Sequence, residues 1–329
     1  MHALSTILRL APCARGALTA LGLLAVAALA SAQDAPTCPP PPQAPTPAQV
    51  EAGKNAARDR GFLWRIQKDG RTSYLYGTVH VGQSDWVFPG PRVSQALRAS
   101  NVVALELDML DPAVVRAMQT GLASAPRREL PAAVMARLKA QVKAACLSDD
   151  MLNAMSPEML VATLVLLSAR REGLEAAWGI DIVYAGLARG MKRPVVSLET
   201  PAQQLAVLQG RTAAETQEMV EDSLNELEGT TLRAMIRRLA WDWAEGRLDD
   251  LALYEQWCEC LTTPAQREMS ARMLDERNPL MADKIDALHA GGQSVFTAVG
   301  SLHMIGPQGL PTLMAKRGYR VERVAFTTP

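Results

Sequence analysis

The sequence predicts an α/β fold: a central β-sheet built from strands near the two ends of the chain, with a large helical insertion at about 112–290. Three observations lead there. Runs rich in β-favouring residues sit near both ends of the mature chain. The middle shows apolar residues recurring at three and four. Two compact apolar runs, "NVVALELD" and "PVVSLET", each follow a helical stretch, as strands of a layered sheet do.

At the N-terminus, Arg9 and Arg15 precede the apolar run "GALTALGLLAVAALASAQ", which ends in Ala30-Ser31-Ala32. This is the pattern of a signal peptide over 1–32, cleaved near Ala32, and it implies a periplasmic or secreted protein. The competing reading is an uncleaved anchor, but the run is shorter than the ~20 residues a spanning helix needs. No comparable run follows, so the mature chain is expected to have no membrane span. Residues 33–58 form a proline-rich tether whose part "DAPTCPPPPQAPTPAQV" is expected to be neither helix nor sheet. The folded domain then covers 59–329.

Within it, "FLWRIQKDGRTSYLYGTVH" reads as a hairpin turning at Asp69-Gly70. A short helix "RVSQALRAS" leads to the strand "NVVALELD", and a helix "GIDIVYAGLARGM" leads to the strand "PVVSLET". Ser156-Pro157, Thr200-Pro201 and Thr263-Pro264 each place a hydroxyl before a proline, a helix-start signal. One long helical pattern is expected through "PAQREMSARMLDERNPLMADKIDALHAG". The chain closes with a strand "SVFTAVGSLH", a helix "GLPTLMAKRG" and a strand "RVERVAF". The methionines at helical spacing and the Trp241-Asp242-Trp243 cluster read as core rather than a cofactor cage.

Lys plus Arg and Asp plus Glu both number 34, so no basic surplus points to nucleic acid, and that partner class is excluded. Cys38, Cys146, Cys258 and Cys260 follow the signal, and export permits disulfides. Because Cys258 and Cys260 are too closely spaced for a comfortable pair, Cys146 bonded to one of them is the expected bridge. The second cysteine pair of a zinc site is missing.

"YLYGTVHVG" and "TAVGSLHMIG" repeat one device: an apolar strand, a glycine (Gly77, Gly300), and a histidine three places on (His80, His303). A glycine there lets the backbone bend or a second group approach closely. Two further strands end in Glu106 and Glu199. Sites in open α/β sheets form beyond the carboxyl ends of the strands, so these four side chains are expected to meet. Two imidazoles and a carboxylate suit a divalent cation such as zinc, manganese or cobalt. The alternative for Glu106 and Glu199 is salt bridging to nearby helices. Arg277 and Asn278, where a helical pattern meets Pro279, can face a substrate carboxylate or oxyanion, with a surface ion pair as the alternative for Arg277. Asp108 reads as ligand support or a helix cap, Asp181 as a cap or a cleft acid, and His289 as a charge at a helix C-terminus.

At "YLYGTVHVG", "VVALELD", "GIDIVYAGLARGMKRPVVSLET", "LDERNPLMADKI" and "VFTAVGSLHMIGPQGLPTLMAKRGYRVERV" the chain resembles the TraB/GumN family, whose relatives include the Tiki proteases, the erythromycin esterases and the ChaN haem-binding proteins. The resemblance covers roughly 60 to 325. It implies a fold like that of the esterase and ChaN relatives. It also implies a hydrolytic centre, metal-dependent in the Tiki branch, at Gly77, His80, Glu106, Gly300 and His303, supported by Glu199, Arg277 and Asn278. The expected activity is an exported hydrolase of peptides first and esters second. His80, His303 and Glu106 would hold the cation, Glu199 would activate water, and Arg277 or Asn278 would stabilise the oxyanion. The rival reading is an envelope protein that binds haem or another ligand without turnover.

Overall fold

The computed structural model describes Cys38, Pro40 and residues 42–326. The expected signal peptide lies outside the described residues. Six strands form one sheet: β1 (Phe62–Lys68), β2 (Arg71–Thr78), β3 (Val102–Leu105), β4 (Val195–Ser197), β5 (Val295–Gly300) and β6 (Arg320–Arg323). Their spatial order is β4-β3-β5-β2-β1-β6. The first four in that order run parallel, and β1 and β6 add an antiparallel edge. The sheet is thus α/β and draws on both chain ends as predicted, while β3 and β4 bring middle segments to one side of β5.

The hairpin turns where the sequence placed it. Asp69 and Gly70 both take positive φ, 50° and 71°, as a two-residue turn matched to strand twist requires. The parallel strands read as near-continuous apolar runs because helices cover both faces. β3 is buried at every position, and β5 at all but its last. Tyr184, on the helix Ile180–Gly190, stacks on Phe296 of β5 with centroids 5.4 Å apart, fixing that helix against the sheet.

Helices fill the excursions from β3 to β4 and from β4 to β5. Three of them, Ala132–Ala144, Pro157–Ser168 and Ala213–Glu228, close over a second apolar cluster around Leu138, Leu160, Leu164 and Leu224. The three Ser/Thr-Pro signals all cap helices, with Thr200 and Thr263 forming complete capping boxes with Gln203 and Gln266.

Four expectations are corrected. The long helical pattern breaks into Pro264–Met273 and Asn278–Ala290, and the turn between them presents Arg277 inward. The proline-rich segment does form a helix, Pro47–Asn55, started by a capping box of Thr46 and Gln49. The disulfides are Cys38–Cys146 and Cys258–Cys260. An extended chain would set Cys258 and Cys260 roughly 7 Å apart. Glu259 instead turns left-handed at φ 56°, bringing the two Cα atoms to 5.1 Å. His289 is no exposed helix-end charge: it is 1% exposed, with Nδ1 2.9 Å from Ser73 Oγ and Nε2 3.0 Å from the Lys68 carbonyl.

Candidate active site

Parallel register explains why the glycine and histidine device occurs twice. Gly77 faces Val299 and Thr78 faces Gly300 on neighbouring strands, so both histidines leave the same sheet edge. On the other side of β5, the β3-β4 ladder continues past the strands through Leu198 N–H to the Leu105 carbonyl and Glu199 N–H to the Glu106 carbonyl. Across the edge the order is therefore Glu199, Glu106, His303, His80, beyond the carboxyl ends of four parallel strands.

The glycines serve close approach. A Cβ on Gly77 would lie 2.8 Å from Ser301 Oγ and 3.3 Å from Ser301 Cα, so its absence lets the turn after β5 pack on β2. Ser301 Oγ then donates to the Thr78 carbonyl at 2.8 Å, and Trp243 Nε1 donates to the Gly77 carbonyl at 2.7 Å. Gly300 lies under the centre itself. A Cβ there would stand 3.3 Å from Glu106 Oε1, 3.6 Å from His303 Cδ2 and 3.7 Å from His80 Nε2. Two imidazoles distant in sequence and one carboxylate converge on that point.

Each group is held from behind. His80 Nδ1 lies 3.3 Å from Asp181 Oδ1, a buried oxygen aligned with no hydrogen-bond donor. Asp181 reaches it because Ile180 N–H donates to the Val79 carbonyl at 2.8 Å, docking the start of its helix against the end of β2. His303 is buried, with Nδ1 2.6 Å from Asn278 Oδ1. Asn278 Nδ2 donates to the Gln308 carbonyl at 2.8 Å. A carbonyl can only accept, so the amide is oriented with Oδ1 toward the ring, His303 Nδ1 carries the proton, and Nε2 presents its lone pair to the centre.

Glu106 Oε1 accepts from Gly300 N–H at 2.8 Å, and Oε2 accepts from Arg277 Nη2 at 2.6 Å. Arg277 also grips Glu199 through Nε at 2.8 Å and Nη2 at 2.5 Å, while its Nη1 donates to the Met273 carbonyl at 2.8 Å. Gln204 Nε2 adds a contact to Glu199 Oε2 at 3.1 Å. This arginine is thus a buried clamp across two carboxylates rather than a surface ion pair.

The electrostatics divide the two histidines. Burial pushes His303 down to about 4, so it is neutral at pH 7. Asp181 raises His80 to about 9 against the opposing effect of burial. Its side chain is 55% exposed, however, and water screens that pair. Burial also opposes ionisation of Glu106, yet neighbouring His303, His80 and Arg277 and the Gly300 N–H together hold it at about 2. With His303 neutral, the charge stabilising Glu106 at pH 7 comes from Arg277 and His80.

The edge brings together all four expected side chains together with Arg277 and Asn278, but it gives some of them other tasks. Arg277 grips both Glu199 oxygens and Gln204 adds to Oε2, and the side chain is only 5% exposed, so little of it faces the open side of the centre. Asn278 is 1% exposed with its amide committed on both sides, so an oxyanion cannot reach it. Asp108 binds Arg189 at 2.5 Å and accepts the Leu110 N–H at 3.2 Å in the turn before the next helix, while the cap of Pro112–Ser124 itself is Asp111. Gln204 and Gln308 escaped sequence reasoning. Gln204 lies one turn into the helix that Thr200 caps, and Gln308 contributes only a backbone carbonyl, which carries no side-chain signal.

Among the described residues, no three His, Cys, Asp or Glu side chains already stand in metal-ligating geometry. The donor chemistry still fits a divalent cation. His80 Nε2 and Glu106 Oε1 lie over Gly300, and His303 Nε2 lies 3.9 Å from that carboxylate oxygen; behind them Asn278 Oδ1 holds His303 Nδ1 and the Asp181 carboxylate faces His80 Nδ1, as the outer shell of ligating histidines requires.

The TraB/PrgY/gumN family profile matches residues 62–323, spanning every strand of the sheet. The chain belongs to this family. It is 24% identical over 251 residues to the uncharacterized protein YbaP of Shigella flexneri, covering 74% of this chain and 88% of that protein. It is 22% identical over 341 residues to the metalloprotease TIKI1 of Homo sapiens, covering 87% of this chain and 66% of TIKI1. A stretch of 58 residues is 43% identical to TIKI1 of Danio rerio, covering 17% of this chain and 12% of that protein. No solved structure matches, and the expected likeness to the esterase and ChaN folds is not confirmed beyond the α/β class.

Proposed function

We propose that this family member is an exported, metal-dependent hydrolase of peptide bonds, with esters as the second substrate class. The observation that carries the reading is the convergence of His80 Nε2, His303 and Glu106 Oε1 around Gly300. Relatives named metalloprotease lend it support. In this reading 1–32 is the signal, 33–58 the connecting segment and 59–329 the catalytic domain.

His80, His303 and Glu106 would hold the cation, and zinc, manganese or cobalt fits that mixed nitrogen and oxygen set. When bound, such an ion supplies a water of lowered pKa and a polarised carbonyl. The chain's own residues do the rest. Asn278 keeps the His303 lone pair inward, Asp181 sets the His80 ring, and Arg277 keeps Glu106 charged and fixed through Oε2. Arg277 and Glu199 act as one clamp, so the roles expected of them as oxyanion donor and base pass to support of Glu106. His80, the most open of the four, marks the side from which substrate would enter.

Metal analysis and a peptide-cleavage assay on the purified mature chain test this. Stoichiometric zinc, manganese or cobalt, lost together with cleavage in His80→Ala and His303→Ala, is the expected result. A Soret band on haem titration, or peptide and ester turnover identical in wild type and Glu106→Ala, would overturn it.

A further inference from the structure

The two disulfides differ in kind. Cys38–Cys146 joins residues 108 apart and pins the N-terminal segment to the end of a helix. Cys258–Cys260 closes over a single residue and fastens nothing distant. Its ring holds Glu259 at φ 56°, in the left-handed region that a side chain with a Cβ avoids. Opening the ring frees Glu259 to return to an ordinary conformation, so the backbone favours the dithiol. The sulfurs are also placed unequally: Cys258 is 1% exposed, whereas Cys260 is only half-buried. A surface cavity of about 230 Å³ is lined by both cysteines together with Asp222, Glu226 and Glu259.

We propose that Cys258–Cys260 is a second reactive site, a thiol–disulfide exchange centre that takes neutral or cationic thiols and is independent of the centre around Gly300. The geometry orders the steps. An incoming thiolate attacks the accessible Cys260 Sγ, an S–S bond forms to it, and the Cys258–Cys260 bond breaks. The electron pair leaves on Cys258 Sγ, which already accepts the Cys260 N–H at 3.1 Å. A second thiol then attacks the sulfur of the incoming group, releasing Cys260 Sγ. Tyr254 Oη lies 3.2 Å from that sulfur and must be the donor, because a disulfide sulfur carries no proton. Overall, two thiols are oxidised to a disulfide and the protein disulfide is reduced to two thiols, each taking up a proton. The carboxylates of the cavity select against an anionic thiol.

The test uses the oxidised mature chain carrying Cys38→Ser and Cys146→Ser, with cysteamine as the cationic thiol and glutathione as the anionic one. Alkylation followed by mass spectrometry reads the opening of the pair. The expected result is opening by cysteamine at least tenfold faster than by glutathione at equal thiolate concentration, with the ratio narrowing in high salt. Glu259→Gly, which removes the left-handed cost, should shift the equilibrium about three- to tenfold toward the disulfide. A pair that stays closed to both thiols, or equal rates with the two thiols, or an equilibrium unmoved in Glu259→Gly, overturns the proposal. None of these outcomes depends on whether the Gly300 centre hydrolyses anything.

Discussion

Replacing Arg277 by methionine keeps a long side chain but removes the charge that bridges Glu106 and Glu199. The three side chains are only 11%, 12% and 5% exposed, so solvent cannot take over the arginine's work. Breaking a buried pair in this way costs about 3–5 kcal/mol. For a domain of this size that amounts to a fall of roughly 6–20 °C in Tm at pH 7. The pH dependence is the sharper test. Glu106 sits at about 2 in the folded protein, below its unfolded value of about 4.3. Its pairing therefore contributes stability that is complete above the unfolded value and is lost as pH falls through 2. In Arg277→Met the facing carboxylates repel, and one takes up a proton at small cost once the medium is mildly acid. The deficit relative to wild type should thus be largest at pH 7 and at least about a third smaller at pH 4. Chemical denaturation of both proteins at the two pH values measures it. A loss under about 1 kcal/mol at pH 7, or the same loss at both, would refute the clamp.

Two further outcomes follow from the same centre. Asn278→Ala leaves the His303 proton without an acceptor and the Gln308 carbonyl without its donor, so metal affinity should fall about 10–100-fold by isothermal titration; Asn278→Asp, which keeps the acceptor, should retain more of it. Gly300→Ala sets a methyl 3.3 Å from Glu106 Oε1 and against both imidazoles, so cleavage should drop at least about tenfold while circular dichroism shows the fold intact; unchanged turnover would mean that the reacting groups do not meet over Gly300.

Local signals in the sequence foretold most of the elements. The Asp69-Gly70 turn, the buried run at Val102–Leu105 and the Ser/Thr-Pro caps depend on neighbours a few residues away, and all three appear where expected. What failed was also local, and was overruled by backbone detail. Glu259 reverses the chain and closes a disulfide that spacing argued against, and the Leu274–Arg277 turn interrupts a periodic helical pattern. His289 misled because helix-end position says nothing of burial, which β1 and β2 supply through Lys68 and Ser73.

The sequence by itself determined which groups stand at strand ends: His80, Glu106, Glu199 and His303, with glycine three places before each histidine. It could do so because strand endings and side-chain types are written in contiguous residues. Only the tertiary structure decided how those groups share the work. The strand order set Glu106 between the carboxylate of β4 and the imidazoles, the helix break delivered Arg277 across both glutamates, and a backbone carbonyl at Gln308 fixed the proton on His303. Those assignments depend on distances between residues that lie, for His80 and His303, more than two hundred positions apart, and a hydrogen bond's direction belongs to the pair that makes it.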